Sequence, residues 1–460
     1  MNFLYEKKTN LAYKINSYTS RPPQMEITAK EIWILGRSFK AESAEAIEVA
    51  KMREQLNELL STIAWFSYTK NFDPISSENN KNIITSDAGW GCMIRAGQML
   101  LFTLLMRMFS DGQELKNEEV AKLKYYLLKA YFREKLAKDP SRSWISGLIS
   151  PYSNRNNYNP PLIKSNQLEE ESSPGEGSEN HSNGIQYPLD HSDATYSKKD
   201  LFKCDSLKIS EDESKNDKLG IFSLQNFASK ANELFQKPLG NWFRPTTFLL
   251  ILKKILKAYP EFSNFAVHNV VENVFYLKSL AHKALGLTSE QLSGISSNQE
   301  CIDILCSRSW KKKIVLSITT LLGMDRTEVR YQPILSRLME VSSFAGMLGG
   351  YQQSAYYFVG KKSDNDFYFL DPHYVKYSLD DFEDSSKLER QFFDKNFLEI
   401  SYSKMCSSVS IVFFINGCDA FRELATTLKT LEERYKDDFF LAYFLDKVDD
   451  RDLANDIISF

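Results

Sequence analysis

The stretch Thr85-Ser-Asp-Ala-Gly-Trp-Gly-Cys-Met-Ile-Arg-Ala-Gly-Gln-Met99 decides how the first half of this chain folds. Glycines before Cys92 permit a sharp turn, and from Met93 onward apolar residues recur at helical spacing to about Phe109. The pattern predicts a helix that begins at Cys92. A thiol there lies beside unpaired backbone N–H groups and the positive end of the helix dipole, which favour its thiolate form. The alternative interpretation is a buried cysteine in an ordinary turn.

The segments around this stretch alternate between apolar and polar patterns. Ser43 to Trp65 predicts an amphipathic helix, whereas Tyr68 to Asp87 is rich in Asn, Ser and Lys and predicts a loop. Residues 151–218 contain few large apolar side chains, so they predict a disordered insertion. A second polar stretch, Thr288 to Glu300, predicts a shorter loop.

The second half of the chain changes to the pattern of strands. Ile314 to Ile318 and Ser410 to Ile415 predict buried strands, and Ala355 to Val359 with Phe367 to Leu370 predicts a hairpin. Phe421 to Arg434 again predicts a helix. A helix-rich first half and a strand-rich second half indicate the α+β class, with helices packed on an antiparallel or mixed sheet.

Composition excludes several classes of protein. Hydrophobic residues make up 43% of the 460 residues and charged residues 25%, so the chain is neither wholly disordered nor fibrous. The net charge of −3 gives no broad basic surface for nucleic acid or an anionic membrane. The six cysteines contain no CxxC pair, which disfavours a disulfide framework or zinc ribbon and favours a reducing compartment.

Other absent signals narrow the location and the chemistry. The sequence shows no secretory signal and no uninterrupted apolar run of the roughly 18 to 20 residues that a bilayer requires. We therefore expect a soluble, cytoplasmic protein. The sequence has no HExxH motif, no Cys/His cluster and no phosphate-binding context at Gly349-Gly350, so it predicts neither a metal nor another cofactor.

A thiolate nucleophile needs a base, and the chain offers five histidines. His181 and His191 lie in the predicted insertion, and His268 and His282 lie in apolar segments typical of core histidines. His373 instead follows Leu370-Asp-Pro at the end of a predicted strand.

Asp371 and His373 are two residues apart, so in an extended chain they point to the same side, about 6.5 Å apart. Asp371 can therefore orient the ring of His373, although a direct hydrogen bond requires the chain to bend. The alternative is an Asp-Pro turn with a surface histidine.

Several further blocks, together with the first stretch, resemble one family in its own order over about residues 30 to 430, outside the two polar stretches. The blocks begin at Glu31 (EIWILGR), Trp65 (WFSYTKNF), Gly240 (GNWFRP), Ala266 (AVH), Gly349 (GG), Ser354 (SAYYFVG) and Leu370 (LDPH). They resemble the autophagins, the cysteine peptidases of autophagy that process small ubiquitin-like modifiers of the GABARAP type.

The resemblance implies a papain-like fold whose peptidase domain comprises residues 30–150 and 219–431. Residues 1–29 then form an N-terminal segment, 151–218 the insertion and 432–460 a C-terminal tail. It implies Cys92 as nucleophile, His373 as base and Asp371 as the orienting acid. It also implies that the Tyr68 hydroxyl binds the oxyanion together with the backbone N–H of Cys92.

The resemblance further implies a covered active site. Trp242 matches the tryptophan that covers the family's site, and it would face a mobile loop from Gly349 to Ser354 that contains Gly350 and Gln352. Such a slot admits only a slim chain, which implies cleavage after the C-terminal glycine of the modifier. The implied partners are the free precursor and the phosphatidylethanolamine conjugate, so the protein meets the membrane only through its lipidated substrate.

The chain departs from the family pattern at Arg244, Gln352 and Tyr356, where the family usually has glycine, proline and histidine. These departures concern the gate and substrate preference. Ala96 replaces a cysteine found in some relatives, so a redox switch at that position is not expected.

Three questions stay open on the sequence alone. The chain could act on another ubiquitin-like tail, or it could bind a modifier without cutting it. Asp437-Asp-Phe-Phe440 has the composition of a modifier-docking segment, but it lacks the aliphatic residue three positions after either aromatic. We favour a short amphipathic end segment there.

Overall fold

The structure is a computed structural model that describes residues 31–41, 43, 46–77, 80–110, 116–134, 219–270, 272–351, 354–395 and 397–444. These residues belong to one compact unit. The predicted N-terminal segment 1–29 and the predicted insertion 151–218 lie outside the described residues.

The described residues form eleven helices and fourteen strands. The helices are α1 Ala46–Ser61, α2 Cys92–Ser110, α3 Asn117–Tyr131, α4 Leu224–Phe235, α5 Pro245–Ala258, α6 Leu277–Leu285, α7 Ser289–Ser293, α8 Asn298–Ser307, α9 Gln332–Leu338, α10 Ser385–Phe392 and α11 Cys418–Tyr435. The strands are β1 Glu31–Ile34, β2 Arg37–Lys40, β3 Thr69–Ser77, β4 Asn80–Ser86, β5 Phe265–Val270, β6 Val274–Tyr276, β7 Lys313–Arg326, β8 Phe344–Tyr351, β9 Ser354–Lys361, β10 Asp366–Leu370, β11 Lys376–Tyr377, β12 Leu398–Ser401, β13 Cys406–Ile415 and β14 Ala442–Phe444.

Within the described part of the chain, nine strands form one sheet in the order β12-β10-β9-β8-β13-β7-β5, with the β1–β2 hairpin attached to β9. All of its pairs are antiparallel except β5 with β7. Side chains alternate between its faces, so Tyr357 and Val359 lie in one apolar cluster and Tyr356 and Phe358 in the other. This architecture confirms the predicted α+β class.

Helix α2 begins at Cys92 as predicted and runs through the apolar cluster on one face of the sheet. It is long and apolar enough to span a bilayer, but nearly all of it is buried inside the protein. Gly97 lets helix α5 approach closely, because a Cβ at this position would lie 2.3 Å from the Phe248 ring. The core therefore fixes the helix whose first residue is Cys92.

Two predicted loops are ordered secondary structure. Strands β3 and β4 pair in antiparallel orientation, and Phe72, Ile75 and Ile84 on them pack against the core. The stretch from Thr288 to Glu300 contains α7 and the start of α8. The Thr288 hydroxyl accepts the Gln291 N–H, and the Ser297 hydroxyl accepts the Glu300 N–H, so each caps the start of its helix. Both predictions were wrong because they relied on polar composition and did not consider strand pairing or helix capping.

The described part of the C-terminal segment packs on the rest of the chain. Helix α11 continues to Tyr435, and the half-buried Phe439 and Phe440 contact the apolar cluster on the second face of the sheet. Strand β14 then pairs in parallel with β6. The two aromatics of the suggested docking segment therefore contact this chain's own core.

Candidate active site

The turn before helix α2 holds Cys92 in place. Gly89 has φ of +87°, a conformation that glycine adopts without strain. The N–H groups of Trp90 and Gly91 both donate to the Asp87 carbonyl, at 3.1 and 2.9 Å. A Cβ on Gly91 would lie 2.5 Å from the Asp87 carboxylate, so the turn requires glycine there.

His373 and Asp371 are directly hydrogen bonded where the chain leaves strand β10. Nδ1 of His373 lies 2.5 Å from Oδ1 of Asp371, and the His373 backbone N–H donates to the same oxygen at 2.9 Å. The chain therefore bends after the strand, as a direct bond between residues two apart requires. Since Nδ1 is bound to Asp371, Nε2 remains for a reaction partner.

Hydrogen bonds between distant segments bring Tyr68 beside this pair. The Trp65 indole N–H donates to the Asp371 carbonyl at 2.8 Å, and the Tyr68 N–H donates to the Pro372 carbonyl at 2.9 Å. The Lys376 N–H in turn donates to the Tyr68 carbonyl at 2.8 Å, and β11 continues the contact as a parallel partner of β3. The hairpin that was predicted as a loop therefore positions Tyr68.

The Cys92 thiol lies within hydrogen-bonding reach of the His373 ring, the Tyr68 hydroxyl and the Ala355 backbone N–H. Burial raises the pKa of the thiol, but hydrogen bonding and charge interaction with His373, aided by the other two donors, lower it below its ordinary value. Burial likewise lowers the pKa of His373, but Asp371 and Cys92 raise it to about 10. The two groups thus favour a thiolate beside an imidazolium at neutral pH.

Tyr68 is a buried donor at this site. Burial, followed by the charges of Cys92 and Asp87, raises the pKa of its hydroxyl well above the ordinary value. The hydroxyl therefore stays protonated and can donate a hydrogen bond to a negatively charged atom. Its ring lies 5.3 Å from the His373 ring at an interplanar angle of 87°.

The substrate-binding residues implied by the resemblance lie in different settings. Trp242 is 40% exposed, and its indole N–H donates at 2.6 Å to the carbonyl of Gly89 in the turn before Cys92. Gly349 and Gly350 lie in strand β8, paired with Tyr356 and Ala355, and not in a loop as predicted. Glycine in a strand suits this close pairing, because a Cβ on Gly350 would lie 2.1 Å from the Ser354 carbonyl oxygen.

Gln352 lies outside the described residues, which resume at Ser354. Ser354 itself begins strand β9. Strand residues therefore extend to both sides of residues 352 and 353.

A buried ionic network beside the site was missed from the sequence. Arg95 Nε lies 2.7 Å from the Asp87 carboxylate, whose other oxygen accepts the Thr69 N–H at 2.6 Å. Arg95 also pairs with Glu134. Burial lowers the pKa of Arg95, but these carboxylates raise it above its ordinary value, so it stays charged. The eight-residue spacing of Asp87 and Arg95 across a turn into a helix was the available signal.

Arg95→Met should strongly destabilise the protein, because it leaves the fully buried Asp87 carboxylate without its cation. Removing one partner of a buried ion pair typically lowers the free energy of unfolding by about 3–5 kcal/mol. Urea denaturation of both proteins measures the change. Lys122→Met is the control, since Lys122 pairs with Glu118 on the surface and exposed pairs add little. Equal stability of the two variants would contradict this account.

The Cys92 and His373 pKa shifts predict the pH dependence. The ion pair forms as the thiol loses its proton and disappears as His373 loses its own. The pH of half-maximal alkylation of Cys92 by iodoacetamide should therefore lie below the ordinary thiol pKa of about 8.5. Cleavage should follow the same acid limb and decline near pH 10.

Cys301 is an internal control for the alkylation experiment, because burial raises the pKa of its thiol to about 11. Peptide mass spectrometry separates the two sites. Equal alkylation rates at Cys92 and Cys301 near neutrality would contradict the predicted ion pair.

Within the described residues, no group of three His, Cys, Asp or Glu side chains is arranged to hold a metal ion. The chemistry of the site follows from its own side chains: a thiolate for attack, an imidazolium for proton donation and a hydroxyl for an oxyanion. The structure brings together Cys92, His373, Asp371 and Tyr68, with Trp242 anchored at the adjacent turn.

Comparison with known proteins gives consistent matches. The peptidase C54 catalytic domain matches residues 53–427. The cysteine protease ATG4B of Xenopus laevis is 23% identical over 414 residues, which are 89% of this chain and 82% of that protein. ATG4D of the same species is 24% identical over 81% of this chain and 68% of its own length. ATG4A of Bos taurus is 23% identical over 79% of this chain and 69% of its own length.

Proposed function

Since this chain belongs to the peptidase C54 family and is a papain-like cysteine protease of autophagy, we propose that it cleaves after the C-terminal glycine of a GABARAP-type ubiquitin-like modifier. The same reaction would mature the precursor and release the modifier from phosphatidylethanolamine, because both bonds are amides of one glycine carboxyl group. The cytoplasm is the proposed location.

One observation carries the proposal: the Cys92 thiol lies within reach of a His373 ring whose other nitrogen is bound to Asp371. In the proposed mechanism the thiolate attacks the glycine carbonyl carbon, and the oxyanion accepts hydrogen bonds from the Tyr68 hydroxyl and the Cys92 N–H. His373 then gives its proton to the leaving amine, and a thioester remains. His373 next takes one proton from water as the water oxygen attacks the thioester; the thiolate leaves, and the glycine carboxylic acid that forms loses its proton to solvent.

The setting of the site supports selectivity for glycine. The Trp242 indole is held by the Gly89 carbonyl, three residues before the nucleophile. Gly350 pairs with Ala355, whose N–H reaches the Cys92 sulfur. In the proposal the modifier tail passes between Trp242 and this end of the β8–β9 hairpin, where a side chain on the cleaved residue would collide.

Purified protein incubated with a panel of modifier precursors tests the proposal. The expected result is cleavage of a GABARAP-type precursor and no cleavage of a ubiquitin precursor. A precursor whose terminal glycine is replaced by alanine is the matched control and should be cut far more slowly. Release of the modifier from liposomes that carry its phosphatidylethanolamine conjugate is measured in a parallel experiment.

Two outcomes favour the alternatives. Cleavage of ubiquitin or another ubiquitin-like precursor alone would assign the chain to a different tail. Tight retention of the GABARAP-type precursor without cleavage would instead indicate a binding module.

A further inference from the structure

A second tyrosine ring, besides Tyr68, contacts the imidazole of His373. The ring of Tyr356 lies 5.6 Å from the His373 ring, centroid to centroid, at an interplanar angle of 72°. We propose that Tyr356 is a positioning residue for the reaction, whose ring fixes the orientation in which His373 faces the Cys92 sulfur. This inference rests on the proposed function for its kinetic part only.

The His373 ring needs such a contact because its hydrogen bond to Asp371 lies at one nitrogen, Nδ1. The hydrogen bond at Nδ1 does not by itself fix the tilt of the ring, which determines where Nε2 lies relative to the sulfur. Proton transfer and ion pairing both require Nε2 to stay within hydrogen-bonding reach of the thiol. Packing against the ring adds to this restraint, and two tyrosine rings supply it, Tyr68 at 5.3 Å and Tyr356 at 5.6 Å.

Tyr356 is itself firmly held. It is 3% exposed and lies in strand β9, where it pairs with Gly349 of strand β8. Its ring also packs on Phe369, with 4.5 Å between centroids and an angle of 51°. Phe369 lies two residues before Asp371, so Tyr356 contacts both the end of the strand that supplies Asp371 and the ring that Asp371 holds.

The residue before Tyr356 contacts the other member of the ion pair. The Ala355 N–H donates toward the Cys92 sulfur, and this donor helps to lower the pKa of the thiol. Consecutive residues of one strand thus reach both the thiolate and the imidazolium. A site positioned by a strand is held more accurately than one positioned by a loop.

The chemistry of tyrosine suits a neighbour of an imidazolium. Its ring packs against the imidazolium in an edge-to-face arrangement, and it brings no second basic nitrogen that would compete with His373 for the Asp371 carboxylate. The family resemblance suggests histidine at position 356, so this form of support depends on the residue that this chain carries.

Three variants of the full-length protein test the inference. Tyr356→Leu removes the ring, and Tyr356→Phe keeps it. Phe358→Leu is the matched control, because Phe358 is equally buried on the same strand and also packs on Phe369 at 5.8 Å. Phe358 has no described ring contact with His373.

Tyr356→Leu should lower kcat by about 100-fold with KM nearly unchanged, since misplacing a reacting group by about 1 Å has an effect of this size. The acid limb of Cys92 alkylation should also move to higher pH, toward that of an ordinary thiol. Tyr356→Phe should keep kcat within about threefold of the parent value, because the ring contact is retained. Its acid limb of Cys92 alkylation should lie at the parent's pH. Phe358→Leu should lower the melting temperature about as much as Tyr356→Leu while leaving the alkylation profile unchanged.

Two results would overturn the inference: an unchanged alkylation profile in Tyr356→Leu, or the same shift in Phe358→Leu. The alkylation profile requires no substrate. If no variant or parent cleaves a GABARAP-type precursor, the proposed function fails, while the alkylation data still decide whether Tyr356 positions His373.

Discussion

Cys92→Ser is expected to lower the rate of precursor cleavage by about 10⁴-fold or more, an effect typical of replacing a catalytic nucleophile. A serine hydroxyl holds its proton far more tightly than a thiol, so the His373 environment that favours a thiolate cannot generate an alkoxide. The two side chains are nearly the same size, and the fold should be retained. Initial cleavage rates, followed by electrophoresis or mass spectrometry, measure the loss.

Cys301→Ser is the control for this variant. Cys301 is also buried, but it lies in helix α8, and burial raises the pKa of its thiol. We expect this variant to cleave the precursor at the parent rate. Equal processing by Cys92→Ser and the parent would exclude a thiol mechanism at position 92.

Asp371→Asn should produce the second large effect, a loss of about 10⁴-fold in kcat, as found when the acid that orients a catalytic histidine is replaced by its amide. The Asp371 carboxylate accepts hydrogen bonds from both Nδ1 and the backbone N–H of His373. An amide with its NH₂ group toward Nδ1 stabilises the wrong tautomer. The alkaline limb of the activity profile should also move below pH 10, because Asp371 is the main group that raises the His373 pKa.

Asp366→Asn serves as the matched control for Asp371→Asn. Asp366 begins the same strand, β10, and its carboxylate accepts a hydrogen bond from the Ser363 hydroxyl at 3.0 Å. This substitution should leave both kcat and the pH profile unchanged. Activity of Asp371→Asn within about tenfold of the parent would refute the orienting role.

Local sequence signals were sufficient to predict two parts of the site, Cys92 and the pair of Asp371 and His373. The glycine turn and apolar periodicity around Cys92 predicted the start of helix α2, and the strand that ends in Asp371 predicted the pairing with His373. Both depend on residues that are neighbours in sequence. The bend that joins Asp371 to His373 could also be anticipated, because extended geometry alone leaves the two side chains too far apart.

Contacts between distant segments were beyond local reasoning. Tyr68 reaches the site because β3 pairs with β11, a partner some three hundred residues away, and polar composition hid the strand. Gly349 and Gly350 were predicted in a loop for a different reason: the family resemblance implied the loop, although their partners Tyr356 and Ala355 are only seven and five residues away in the β8–β9 hairpin. The Ala355 N–H leaves no trace in sequence at all, because every residue except proline carries that donor.

The hydrogen bond from Trp65 to Asp371 spans 306 positions of the chain and has a consequence during synthesis. A ribosome that has made helix α2 but not yet strand β10 carries Cys92 without Asp371 and His373. Chains that stop before residue 371 are therefore expected to be inert, and hydrolysis is expected only after Asp371 and His373 have emerged and docked beside Cys92. Closure of the site by a contact between distant segments thus keeps unfinished copies inactive.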